Sequence, residues 1–189
     1  MRPPTDGELA QGARTGDETA FRTLADRHRR FIVNLAYRFL ASRDDAEDAA
    51  QEVLLKLWRN LGSYREDVKI TTWLYKMVTN HCLDVLKSAG RTKSRDRVTI
   101  DDRMPVSDPA SLPETADLQE RLRLVAELAN RLPEKQQAVF VLRDLQGIAT
   151  EEAAEILEMT ADVLKSNLYH ARLQMRAMIL DYEKEKIKV

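Results

Sequence analysis

A chain of 189 residues with 30 Lys and Arg against 31 Asp and Glu has a formal charge of −1, low for a protein that holds DNA unaided, so any DNA contact needs another source for much of its electrostatic grip. Its 43% hydrophobic and 32% charged content, with only six Gly and six Pro, fits a helical protein of one domain or two small ones. No apolar run approaches the roughly 20 residues of a membrane span, "MRPPTDGELAQ" has no signal-peptide core, and a lone Cys82 excludes an internal disulfide and fits a reducing cytoplasm.

From Asp17 to Ala41 the positions Phe21, Leu24, His28, Phe31, Ile32, Leu35, Ala36 and Phe39 step by three and four, which predicts a long amphipathic helix. "SRDDAEDAAQEVLLKLW" (Ser42 to Trp58) follows, with Ala46, Ala49, Ala50, Val53, Leu54, Leu57 and Leu61 at the same period. "GSYREDVK" (Gly62 to Lys69) breaks it as a loop. A third helix is expected from about Ile70 to Ala89, through Trp73, Leu74, Met77, Val78, His81 and Val85, with Gly90 as its C-cap. Residues 91–115 carry three prolines and no sustained period, and read as a linker, basic at first and acidic after.

Helical period returns at Leu118, Leu122, Val125 and Leu132, then in a helix opened by Pro133 and closed by Gly147. Two further helices, about Glu151–Leu157 and Ala161–Met178, have Thr150 and Thr160 placed as N-caps. No strand and no internal repeat emerges. The expected fold is all-α: an N-terminal helical domain over 1–92, a flexible linker over 93–113 and a second helical domain over 114–189.

"ATEEAAEILEMTADVLKSNLYHAR" (Ala149 to Arg172) has helix-turn-helix spacing. Ala154 is small enough for a close helix crossing, Leu157 and Met159 flank the turn, and Leu164, Leu168 and Ala171 form one buried face. The opposite face offers Val163, Ser166, Asn167, Tyr169 and His170, with Lys165 and Arg172 at its rim. Hydroxyl, amide and cationic groups are those that read base edges or hold phosphates. A plain αα-hairpin with a solvated polar face has the same pattern.

The acids at the start of the second helix have three readings. Ser42 as cap, with Asp45 three positions on as a capping-box acid, and the helix dipole account for Asp44, Asp45 and Glu47. They leave Asp48, Gln51 and Leu55 unexplained, a stripe turned away from the apolar face. "DDAED" also mimics a magnesium-diphosphate motif, which needs a second acidic cluster opposite; "REDVK" and "TIDDR" are poor candidates for it. Docking onto a basic protein surface fits the stripe. No zinc site is expected, because His28, His81 and His170 are scattered. In the third helix, Trp73, Tyr75, Asn80 and a basic end (Lys87, Arg91, Lys93, Arg95) join aromatic and cationic groups, the pairing that holds single strands. Tyr64 and Arg65 add a second such pair, while Trp73 doubles as a core anchor.

Four blocks in order resemble the extracytoplasmic-function (ECF) group of bacterial sigma factors, within the sigma-70 family. They are "GDETAFRTLADRH", "DAEDAAQEVLLKLWRNL", "TTWLYKMVTNHCLDVLK" and the segment from "LPEKQQAVFVLRDLQG" to "ARLQMR". The resemblance implies a sigma factor that binds core RNA polymerase and directs promoter-specific initiation, with no cofactor, no metal and no catalysis of its own. It places Asp45, Asp48, Gln51, Glu52 and Leu55 on the polymerase, whose β′ clamp and β flap are the implied partners. It gives Tyr64, Arg65, Trp73, Asn80, Lys87 and Arg91 to the −10 element, where a base flips out of the opening duplex. It gives Val163, Lys165, Ser166, Asn167, Tyr169, His170 and Arg172 to the −35 element. It also implies an anti-sigma partner, often membrane-anchored, and a cytoplasmic location. The other readings of the residues are a free-standing helix-turn-helix regulator and a helical magnesium enzyme using Asp44, Asp45 and Asp48.

The chain departs from the family pattern at several positions. Leu54 and Ile70 stand where Phe is common. Glu158 replaces a turn glycine, so the turn must avoid a left-handed residue or strain one. Asn167, Tyr169 and His170 stand for Arg, His and Arg, removing cations from the recognition helix.

Overall fold

The computed structural model describes residues 2–64, 69–92 and 116–187, and the described residues form helices and turns without a strand. Helix α1 (Asp6–Arg14) precedes the first helix expected from the sequence. A reciprocal capping box starts it: Glu8 N–H donates to Thr5 Oγ1 at 3.2 Å, and Thr5 N–H donates to Glu8 Oε2 at 2.6 Å. Gly12 packs against α2 so closely that an added Cβ would lie 3.0 Å from Ala20 Cβ. Helix α2 (Glu18–Leu40) is capped by Asp17, whose carboxylate accepts from the N–H groups of Thr19 and Ala20. Asp6 ties α1 to α2, accepting from Arg27 at 2.5 Å and lying 2.9 Å from buried His28 Nε2.

Helix α3 (Arg43–Asn60) packs along α2 and runs into a 3-10 turn at Leu61–Ser63. Helix α4 (Ile70–Thr92) closes the N-terminal core against both. Leu24, Ile32, Leu35, Phe39, Val53, Leu57, Leu61, Leu74 and Val78 are fully buried there. Each such side chain contributes about 1.5–3 kcal/mol by leaving water. Gly90 is not a C-cap, as expected from the sequence, but lies inside α4.

The second unit comprises α5 (Ala116–Ala129), α6 (Glu134–Phe140), a π-helical turn at Val141–Leu145, α7 (Thr150–Ile156) and α8 (Ala161–Ile187). Gly147, at φ +70°, ends the π turn, and Ile148 N–H donates back to Leu142 O at 3.0 Å. Thr150 is the first residue of α7 rather than its cap; Ala149 holds the cap position with no side-chain bond. Thr160 does cap α8, its Oγ1 accepting from Val163 N–H at 3.3 Å. That helix runs to Ile187, well past the expected end at Met178.

The two units pack together. Helix α5 lies on α2, and α7 lies on α4. Ala138 and Val141, from the second unit, are buried in the core of the first, and Tyr75 packs against both cores. Residues 93–113, expected as the linker, lie outside the described residues.

Candidate protein and nucleic-acid interfaces

Local chemistry sorts the acids of α3. Ser42 Oγ accepts from Asp45 N–H at 3.3 Å, the first half of the expected capping box. Glu47 is taken up by Arg29 at 3.1 Å and Arg43 at 3.6 Å, which joins α3 to α2. Asp45, Asp48, Gln51, Glu52 and Leu55 are all exposed, on the side of α3 turned from its core residues Ala46, Ala49, Ala50, Val53 and Leu57. Leu55, an apolar side chain, is 47% exposed. Trp58 is exposed beside it, its ring 4.7 Å from Phe21. The sequence reading missed Trp58, although its place off the core face of α3 was legible. Among the described residues, no group of three or more His, Cys, Asp or Glu is placed to hold a metal ion.

Helix α4 places its expected contacts unevenly. Asn80 is exposed. Tyr64, expected to meet a flipped base, is instead 8% exposed in this arrangement, its ring stacked on half-buried Trp73 at 5.5 Å. An aromatic ring beside Leu61 and Ile70 gains more from the core than from water. Arg65 and the side chain of Arg91 lie outside the described residues.

The polar face of α4 meets the second unit. Thr72 donates to Glu152 at 3.1 Å, Lys76 to Glu158 at 2.5 Å, and Lys87 lies 2.8 Å from Glu134. Thr72, Lys76, Asn80 and Lys87 share one side of the helix by spacing. The side expected to hold a strand is therefore lined with carboxylates from α6, α7 and the turn after α7. Nothing in the local pattern marks these partners, because each pair is more than 40 residues apart. Glu152 also raises the pKa of Tyr75, after burial, the larger cause.

Between α3 and α4, Lys56 Nζ donates to His81 Nδ1 at 3.1 Å. Burial first, then Lys56, holds His81 below its usual 6.5. A depressed histidine stabilises the fold above its unfolded pKa and loses that contribution as pH falls. Thermal stability is therefore expected to decline as pH falls below 6.5, because protonation of His81 sets two cations side by side. His81→Gln should flatten that limb of a melting-temperature profile; an unchanged limb would assign it elsewhere.

The helix-turn-helix keeps its expected division. Leu164, Leu168 and Ala171 are buried, while Val163, Lys165, Ser166, Tyr169 and His170 are exposed and Asn167 is half-buried. Tyr169 is 62% exposed. Asn167 Nδ2 donates to Val163 O at 2.8 Å, an internal bond that orients its amide. Arg172 pairs with Asp144 through two bonds, which raise the Arg172 pKa.

Glu158 sits in the left-handed region at φ +52°, with Met159 N–H donating to Ala154 O at 3.0 Å. The turn has kept the geometry suited to glycine and strained a glutamate into it. Glu158→Gly is expected to raise the melting midpoint of the second unit by about 2–4 °C. The same change removes the Lys76 contact, so it should also loosen the two units. In a Lys76→Ala background, which removes that contact beforehand, a lowered midpoint on Glu158→Gly would refute the strain.

Comparison with known proteins decides the family. The model for sigma-70 region 2 matches residues 24–92, and that for sigma-70 region 4 matches 122–175. The chain is 34% identical over 178 residues to the ECF RNA polymerase sigma factor SigM of Mycobacterium tuberculosis, covering 94% of this chain and 86% of that one. The chain belongs to the ECF group of the sigma-70 family. It is 32% identical to the ECF RNA polymerase sigma-E factor of Escherichia coli, over 89% of this chain and 91% of the relative. In fold it is similar to the Bartonella quintana sigma factor RpoE, solved with the anti-sigma factor NepR, at a TM-score of 0.62 over 84% of this chain and 96% of that one. This sigma factor is thus a protein of transcription initiation, in a family that is in general non-enzymatic. No helix among its described residues is long and apolar enough to cross a membrane.

Proposed function

We propose that this sigma factor docks on the β′ clamp of core RNA polymerase through Asp45, Asp48, Gln51, Glu52 and Leu55, and carries the enzyme to promoters with matching −10 and −35 elements. The observation that carries the reading is the exposed stripe on α3: three carboxylates and an apolar leucine, none needed to hold α2 and α3 together. Such a mixture suits a basic protein surface with an apolar centre. The near-neutral chain then gains its DNA grip from the enzyme it joins.

In this reading α4 holds the opened non-template strand through Asn80, Lys87, Arg91 and the Tyr64–Trp73 pair, and Arg65 is assigned to the same element. Extracting a base costs a few kcal/mol, which stacking and hydrogen bonds recover. Helix α8 enters the major groove at −35 with Val163, Lys165, Ser166, Asn167, Tyr169, His170 and Arg172. The contacts of Thr72, Lys76 and Lys87 with the second unit compete with the strand, so the units separate before promoter opening. Units 1–92 and 114–189, joined by 93–113, are the moving parts. An anti-sigma factor, of the kind seen with the Bartonella relative, controls the exchange, and a membrane anchor on that partner fits the family habit.

The test is transcription from a candidate promoter by core polymerase, with and without the purified chain. Chain-dependent transcripts from one defined start support the reading. Specific duplex binding by the chain alone, with no effect on transcripts, would favour a free-standing regulator.

A further inference from the structure

Arg172 is held in an unusual way for an exposed cation. Its side chain is 59% exposed, yet Nε donates to Asp144 Oδ2 at 2.8 Å and Nη2 donates to Asp144 Oδ1 at 2.6 Å. The Asp144 side chain is 23% exposed, although the residue stands at the surface, and it sits in the π-helical turn, a short element that shifts its residues out of α-helical register. That turn is tied down beside it. Arg143 donates to the Ile148 carbonyl, and Ile148 N–H returns to Leu142 O across Gly147. A fixed carboxylate thus holds a long cationic side chain against one flank of α8.

The form of the pairing matters. An end-on grip would use both outer nitrogens of the guanidinium. The side-on grip uses Nε and Nη2 and leaves the Nη1 edge for another acceptor. The flank is also a cationic edge: Lys165, Arg172 and Arg176 step along it by seven and four, all exposed, with Tyr169 among them. Arg172 adjoins buried Ala171 rather than standing opposite the core, which puts it at the wall of a groove that α8 enters. Phosphates line that wall.

We infer that Asp144 is a positioning residue for the −35 contact: it pre-orients Arg172 so that the free edge of the guanidinium meets a backbone phosphate. The inference rests on α8 being the −35 reader. Asp144 itself touches no DNA. It removes the conformational freedom that Arg172 would otherwise lose on binding, which offsets the repulsion its own charge exerts on a phosphate.

The experiment measures the affinity of holoenzyme for a promoter duplex over a salt series. The samples are the parent chain, Arg172→Ala, Asp144→Asn, Asp144→Ala and the Arg172→Ala/Asp144→Ala pair. Arg172→Ala should weaken binding and reduce the slope of log affinity against log salt by about 1, the signature of one lost phosphate contact. Either Asp144 change should reproduce that slope loss, and the double change should add nothing further. Tighter binding by Asp144→Ala, an unchanged slope, or additive losses would overturn the inference, leaving Asp144 a competitor or a fold contact. If Arg172→Ala has no effect, the reading of α8 as the −35 reader fails with it. Melting curves of the Asp144 variants keep loss of fold apart from loss of positioning.

Discussion

Asp48→Arg reduces the affinity for core polymerase about a hundredfold, because it turns an attractive charge into a repulsive one at the centre of the docking stripe. Asp48 lies between Asp45 and Glu52 on the exposed side of α3, and Leu55 continues the line. Its position, three residues past Asp45 and beside buried Ala49, lets an arginine point outward without disturbing the core. The fold should therefore melt as before, while chain-dependent transcription disappears. Asp48→Asn, which removes charge without reversing it, should give an intermediate loss. Both losses should shrink as salt is raised, since exposed charges are screened over about 10 Å at 0.1 M. The contrasting substitution is Glu47→Gln: that carboxylate is engaged by Arg29 and Arg43, so its loss affects the α2–α3 contact more than docking. Core-polymerase binding by Asp48→Arg equal to the parent, measured by co-elution or surface capture, would remove α3 from the interface.

The sequence showed some of this and hid the rest for identifiable reasons. Helices α2, α3 and α4 were legible because their large apolar residues keep a 3.6-residue period and pack on one another. The buried line Leu164, Leu168 and Ala171 was legible for the same reason, and it left the exposed polar face of α8 as the remainder. At Glu158 the sequence left two outcomes open, a turn that avoids a left-handed residue or one that strains it, and the structure shows the second, at φ +52°. Helix α1 was hidden by Gly7 and Gly12 and by having Leu9, Ala10 and Ala13 as its only buried residues. The extension of α8 to Ile187 was hidden because "DYEKEKI" is polar almost all round; local pairs such as Lys184–Asp181 accompany it rather than an apolar stripe. The pairing of Asp144 with Arg172 and the facing of α4 by Glu134, Glu152 and Glu158 join residues far apart in the chain, where periodicity says nothing, and Tyr64 turns inward from a segment that has no period of its own.

One such distant contact should have the largest effect on how the two units hold each other. Gln137, in α6, is 3% exposed. Its Nε2 donates to Asn130 Oδ1 at 2.6 Å and to the Phe39 carbonyl at 3.2 Å. Phe39 lies in the last turn of α2, where carbonyls have no partner within the helix. The second unit therefore supplies the bond that the end of α2 lacks. Gln137→Ala leaves that buried acceptor bare, at about 1–3 kcal/mol, or roughly 5- to 150-fold in the balance between packed and separated units. Separation lets water reach the carbonyl, so that part of the cost falls on the packed arrangement, while the lost Asn130 bond lies within the second unit and lowers that unit's own melting midpoint as well. Gln137→Leu, which keeps the volume and loses the donor, should separate them nearly as well. Energy transfer between labels at Asp26→Cys and Ser166→Cys would report the change. Cys82 need not be replaced: burial raises its pKa to about 12, which leaves almost no thiolate to react at neutral pH. The expected result is a broader and longer distance distribution in both Gln137 variants, with tighter single-strand binding by α4 once Lys76 and Lys87 are released. An unchanged distribution would mean that Ala138, Val141 and Tyr75 hold the units together through apolar contact alone, and that the exposed ion pairs along α4 follow the packing rather than set it.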